Sequence, residues 1–283
     1  MSVQNIVLIH GWASDESIWQ ETRNYLEQKH RVYTLNLPLM KHKHSYRDAV
    51  LEMIEQKGLA QVIVVGWSMG ALIAIQVAHQ THKVRGLVLV GGTSRFLMET
   101  QLELVISGSE QTLVKGIIVQ KSFPYESLPD KSSPSIKPYP GGIPTALVKR
   151  MKKRLSKNVK QTLTDFYKLM FSHQEQAQGI DKKVTDFYLG CGINWDIIGV
   201  QAGLDFLGEV DLRAELKAIT CSTLILHGEQ DEICPIEGAK FIQEQIPCAQ
   251  LVSYPKVGHI PFLTNFAGFH RDLEEWLSIY DGI

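Results

Sequence analysis

The stretch Gln61-Val62-Ile63-Val64-Val65-Gly66-Trp67-Ser68-Met69-Gly70-Ala71-Leu72 constrains this chain more than any other. Val62 to Val65 is an unbroken β-branched run, the composition of a strand buried on both faces, and such strands belong to parallel sheets covered by helices. Ala71, Leu72, Ala74, Ile75, Val77 and Ala78 then continue at helix-compatible spacing. Between the two, Gly66 and Gly70 bracket Ser68 in the pattern G-x-S-x-G. The pattern has a mechanical cause. The serine sits in a strained turn where a side chain two positions away on either side would clash. Its hydroxyl stands above the sheet edge, and the next residue's N–H is free to bind an oxyanion. An ordinary glycine-rich turn can carry the same letters, but here a strand precedes it and a helix follows.

The rest of the chain repeats that strand–helix rhythm. Ile6 to His10, Arg31 to Leu37 and Val84 to Val90 read as further strands, with helices predicted over Asp15 to Lys29 and Tyr46 to Lys57. The rhythm stops between Arg95 and Val210, where helical segments surround a proline-rich loop and a helix-forming run covers Thr145 to Phe171. It resumes with the strand Ser222 to Gly228, a helix over Ile236 to Gln245, the strand Ala249 to Tyr254 and a closing helix, Ala267 to Tyr280. The expected class is therefore α/β: a mostly parallel sheet with helices on both faces. Residues 1–94 and 211–283 form its core, and 95–210 form an inserted helical cap over the strands' carboxyl ends, where open α/β sheets bind ligands.

Composition excludes several classes. With 44% hydrophobic and 21% charged residues in 283, the chain reads as a globular protein able to bury a large core. No apolar run approaches the roughly 18 residues of a membrane span. The first residues enter a strand without a basic, cleavable leader, and Cys191, Cys221, Cys234 and Cys248 are dispersed. Both features point to the cytoplasm and to reduced thiols. His42 and His44 lie among lysines in a polar loop and read as solvated rather than as metal ligands.

A serine hydroxyl needs a base in contact, and that base needs a carboxylate to fix its tautomer. Asp231 follows the strand ending at His227-Gly228, and His259 follows the strand ending at Tyr254, so both belong to carboxyl-end loops. Glu229 and Glu232 compete for the acid's role; Asp231, followed by a turn and Pro235, is preferred. The order Ser68, Asp231, His259 is then that of a nucleophile-elbow hydrolase. The oxyanion donors are expected to be the backbone N–H groups of Trp12, in the loop after the first strand, and Met69. Trp12 and Trp67 are core or pocket-wall residues, and Phe123, Phe166, Phe171 and Phe187 are candidate linings of an acyl pocket.

On the motifs His10-Gly11-Trp12, Gly66-Trp67-Ser68-Met69-Gly70, Gly203-Leu204-Asp205-Phe206-Leu207 and Gly258-His259-Ile260-Pro261-Phe262, the chain resembles the α/β-hydrolase superfamily. Within it, the chain is most similar to the carboxylesterases of biotin synthesis. The resemblance implies hydrolysis of the methyl ester of pimeloyl-acyl carrier protein without metal or cofactor. It departs from the superfamily in lacking the N-terminal antiparallel hairpin and in a longer front to the cap. A general short-chain esterase, a carbon–carbon bond hydrolase, or a binding protein that keeps the fold without turnover are the other readings.

Net charge is −1, yet Lys149 to Lys160 contains no acid. On a helix its basic side chains cover the exposed face, with Leu147, Met151 and Leu155 as the expected apolar stripe. A basic face can be a solvated surface or can speed encounter with an acidic partner. The resemblance implies an acyl carrier protein as that partner, with Arg150, Lys153, Arg154 and Lys157 as docking residues. No recognition motif for nucleic acid accompanies the charge, and a membrane surface is not favoured.

Overall fold

The computed structural model describes residues 2–37, 45–98, 139–190 and 196–280. Among the described residues six strands form one wholly parallel sheet: β1 (Asn5–Ile9), β2 (Arg31–Leu35), β3 (Val62–Trp67), β4 (Val84–Val90), β5 (Ser222–Gly228) and β6 (Ala249–Tyr254), in the spatial order β2-β1-β3-β4-β5-β6. The predicted sheet class and strand segments are observed. The β3 run is buried at every position and β1 at all but its first, as the apolar sequences require.

The strand order places the helices. The chain steps one way from β1 to β2 and the other way for every later crossover, so right-handed connections put α1 (Gln20–Leu26) on one face and the later crossover helices on the other. Among those later helices, α2 (Ser45–Gln56) packs on α3 (Met69–Gln80), and α9 (Ile236–Gln245) lies against β5 and β6. After the short α10 (Pro261–Thr264), the last long helix, α11 (Phe266–Leu277), returns to the face of α1. There Tyr25 meets Phe266 with ring centroids 5.8 Å apart, and Lys29 bonds Glu274 at 2.6 Å. The direction reverses between β1 and β3, and the loops leaving those two strands flank the crevice that such a reversal creates.

The helix expected over Asp15 to Lys29 begins instead as a 3₁₀ turn, Glu16–Trp19. Asp15 explains the difference: its carboxylate accepts from Ser17 N at 2.9 Å and caps a tight turn before the α-helix starts.

Between β4 and β5 the described residues include α4 (Thr145–Leu155), α5 (Val159–Lys168), α6 (His173–Ala177), α7 (Ile180–Gly190) and α8 (Ile197–Glu209). The helix-forming run from Thr145 to Phe171 holds two helices separated at Ser156–Asn158, where Asn158 caps α5 by accepting from Gln161 N at 3.0 Å. The two ends of this insertion meet. Leu212 N donates to Ser94 O at 2.9 Å, and Arg95 pairs with Asp211 at 2.8 Å.

On α4 the buried residues are Val148 and Leu155, with Met151 half-buried, while Leu147 is 41% exposed. The apolar stripe therefore runs through Val148 rather than Leu147, since 148, 151 and 155 follow the i, i+3, i+7 rows of one face.

Candidate active site

The turn after β3 has the geometry its glycines require. Ser68 has φ 57° and ψ −119°, a left-handed strained conformation for a side chain with a Cβ. A Cβ on Gly66 would lie 2.2 Å from Gly70 O, and one on Gly70 would lie 2.4 Å from Ile9 O, so only glycine fits either side of the elbow. Ser68 N donates to Val90 O at 3.0 Å, which pins the elbow to β4. Ser68 is half-buried, and Met69 opens α3, where a first-turn N–H has no intrahelical acceptor.

The loop after β1 lies against this elbow. The face of Gly11 approaches Ser68, 3.0 Å separating an ideal Cβ on Gly11 from Ser68 Cβ. His10 holds the loop. Its ring bonds Gly11 O at 2.9 Å through Nδ1 and accepts from Leu37 N at 3.0 Å through Nε2, a pairing that fixes the neutral Nδ1–H tautomer. Trp12 is buried, donates Nε1–H to Val200 O in α8 at 2.8 Å, and packs edge-on against Phe166 in α5 at 4.7 Å. The tryptophan beside the proposed nucleophile is thus gripped by two helices of the insertion.

Asp231 and His259 are brought together. Asp231 Oδ2 lies 2.6 Å from His259 Nδ1, and Oδ1 accepts from Ile233 N and Cys234 N, each at 2.9 Å. Burial works to raise the Asp231 pKa. The imidazole of His259 and its hydrogen bond, the nearby His227 and the Cys234 N–H outweigh it and hold the group below the ordinary carboxylate value. A carboxylate acceptor at Nδ1 makes that nitrogen the N–H, leaving a lone pair on Nε2. Nε2 is buried and has no hydrogen-bond partner among the described residues. Glu229 and Glu232 are exposed, and Glu229 accepts from Ser253 Oγ at 2.7 Å. Neither replaces Asp231 at the histidine.

Trp67 is only 1% exposed and is committed to the histidine loop, its Nε1–H bonding His259 O at 2.9 Å with the rings 5.4 Å apart. Phe166 and Phe171 are buried in the insertion. Phe123, His42 and His44 lie outside the described residues, as does the side chain of Phe187. Of the basic residues on and after α4, Arg154 pairs with Asp165 and Lys152 with Asp205. Arg150, Lys153 and Lys157 are exposed and make no ion pair among the described residues. No helix among the described residues is long and apolar enough to cross a membrane.

Sequence reasoning missed His227. It is fully buried at the end of β5, bonds Cys234 O at 2.8 Å through Nε2, and lies 3.4 Å from Asp231 Oδ2. Its position two residues ahead of a candidate acid loop was the available signal.

Burial lowers the pKa of His10, His227 and His270 below the ordinary 6.5. The folded state therefore binds fewer protons than the unfolded chain just below pH 6.5, so stability rises with pH through that window. Thermal melts should show full stability above pH 6.5 and a falling Tm as the pH drops below it. A Tm unchanged between pH 7.5 and 5 would contradict the burial of these rings.

A family model described as the alpha/beta hydrolase fold matches residues 4–266. A pimeloyl-[acyl-carrier protein] methyl ester esterase of Nitrosomonas europaea is 28% identical over 270 residues, spanning 92% of this chain and 90% of the relative. One of the same name from Vibrio atlanticus is 27% identical over 275 residues, spanning 95% and 92%. Among solved structures, an esterase from Exiguobacterium antarcticum superposes with TM-score 0.74 at 22% identity, covering 98% of this chain and 92% of that one. A bromoperoxidase from Bacillus anthracis gives 0.77 at 19%, with the same coverage.

Proposed function

Because the chain belongs to the α/β-hydrolase fold family, we propose that it is a serine carboxylesterase cleaving the methyl ester of pimeloyl-acyl carrier protein in the cytoplasm, as a step of biotin synthesis. The observation that carries the chemistry is the Asp231–His259 hydrogen bond, which leaves the lone pair on Nε2; the strained elbow at Ser68 supports the reading. The substrate class rests on the near full-length relatives of that name and on the exposed basic face of α4.

In this reading Nε2 of His259 takes the Ser68 proton as Oγ attacks the ester carbonyl. The N–H groups of Trp12 and Met69 hold the oxyanion. Nε2–H then protonates the departing methoxide to methanol. Water, deprotonated by the same nitrogen, attacks the acyl-serine, and Oγ recovers its proton as the free carboxylate leaves. Trp12, Phe166 and Phe171 wall the acyl chain, with Trp67 backing the histidine. Residues 95–210 act as the cap over a core of 1–94 and 211–283. Arg150, Lys153 and Lys157 present positive charge to an acidic carrier, while the charge of Arg154 is offset by Asp165.

The test is hydrolysis of pimeloyl-carrier-protein methyl ester beside p-nitrophenyl butyrate at low and high salt. Strong preference for the carrier ester, with kcat/KM falling severalfold or more between about 50 and 500 mM salt, is the expected result. Cleavage of the small ester alone, indifferent to salt, would leave a general short-chain esterase and remove the carrier.

A further inference from the structure

The loop that carries His259 is held from the sheet side, by Trp67 Nε1–H to His259 O and Gln230 N–H to Val257 O, and from the other side by the insertion. His259 N donates to Met170 O at 2.7 Å, Gly258 N donates to Glu175 Oε2 at 3.1 Å, and Ser172 Oγ donates to Lys256 O at 2.6 Å. Met170 and Ser172 lie in the connection between α5 and α6, and Glu175 in the first turn of α6. The approach is so close that a Cβ on Gly258 would fall 2.4 Å from Met170 O and 2.8 Å from Ser172 N.

Glu175 is the centre of this contact. It is 4% exposed, and Oε2 accepts both from Ser172 N at 2.7 Å and from Gly258 N, while Oε1 is buried without a hydrogen-bond partner. A capping box explains the first bond: Ser172 caps α6 and Glu175 reaches back to the cap's N–H. It does not explain the second. A carboxylate that only capped a five-residue surface helix would sit in water, where its second oxygen is solvated. Here it is buried against the residue before His259, at the cost of an unpaired oxygen.

We infer that Glu175 is a positioning residue of the active site: it fixes the Gly258–His259 backbone from the insertion side and so sets where Nε2 stands relative to Ser68. Asp231 holds the ring from one end, Trp67 and Met170 hold its backbone, and Glu175 stops the preceding peptide from turning. This rests on the reading of Ser68 and His259 as nucleophile and base.

The test compares Glu175→Leu, Glu175→Gln, Gly258→Ala, Ser68→Ala and Asn158→Ala in the full chain. It reads kcat and KM for p-nitrophenyl butyrate, Tm, and the proton NMR signal of the imidazole N–H shared with Asp231. Glu175→Leu removes the acceptor and is expected to lower kcat about 100-fold, the scale of a 1 Å misplacement, with KM nearly constant and the imidazole signal shifted or broadened. Glu175→Gln keeps an oxygen for both N–H groups and should recover most of kcat. Gly258→Ala forces the contact apart from the other side and should reproduce the loss, which keeps the proposal testable if the leucine variant does not fold. Asn158→Ala weakens the same region by removing the α5 cap and should lower Tm while sparing kcat. Wild-type kcat in Glu175→Leu, or an equal loss in Asn158→Ala, would overturn the inference. Full activity in Ser68→Ala would instead overturn the catalytic reading beneath it.

Discussion

Ser68→Ala is expected to lower kcat toward p-nitrophenyl butyrate by about 10⁶-fold, the scale seen when the nucleophile of a serine triad is removed. It should also abolish labelling by a fluorophosphonate probe. The fold should hardly notice. The elbow's conformation is set by Gly66, Gly70 and the Ser68 N–H bond to Val90 O, and none of these uses the hydroxyl. Alanine pays the same strain at φ 57° that serine pays. Tm should therefore move little. His259→Ala should be comparably inactive, and the double variant no worse than either single one, because the two groups act as a unit. Retained turnover in Ser68→Ala with intact structure would mean that the nucleophile lies elsewhere.

Asp231→Asn is expected to cost about 10⁴-fold in kcat, the price of the wrong tautomer. The carboxylate's two oxygens are both committed, Oδ1 to the Ile233 and Cys234 N–H groups and Oδ2 to His259 Nδ1–H. Asparagine has one oxygen. If it keeps the backbone pair, its NH₂ faces His259 and forces the lone pair onto Nδ1, putting the proton on Nε2 where the serine needs a base. If it turns over, two buried N–H groups lose their acceptor and the loop loses stability. Either way kcat falls, and a stability measurement tells which. An asparagine variant within tenfold of wild type would hand the acid's role to another group.

What was legible in the sequence was what local chemistry dictates. The β-branched run Val62 to Val65 and the glycines around Ser68 specify a strand and an elbow whatever lies around them. Asp231 and His259 could be picked because each follows a strand by a few residues. The rest depends on contacts that no window contains. Trp67 reads as a pocket wall from its place beside the serine, yet its indole is spent on a carbonyl 192 positions away. Glu175 sits in a visible Ser-x-x-Glu pattern, but its second bond, to Gly258, spans 83 residues. On α4, spacing alone permitted a stripe through Leu147; packing chose Val148.

The joined ends of the insertion carry an evolutionary consequence. Ser94 and Leu212 are hydrogen-bonded neighbours, and the Arg95–Asp211 pair closes the neck beside them. Everything between could be exchanged for a segment of another length with little change in closure entropy, since each doubling of a loop costs only about 0.6 kcal/mol. Such a graft would bring new side chains over an unchanged sheet. It would not be freely interchangeable, however. A replacement must carry its own acceptors for the Gly258 and His259 N–H groups, which Glu175 and Met170 supply here.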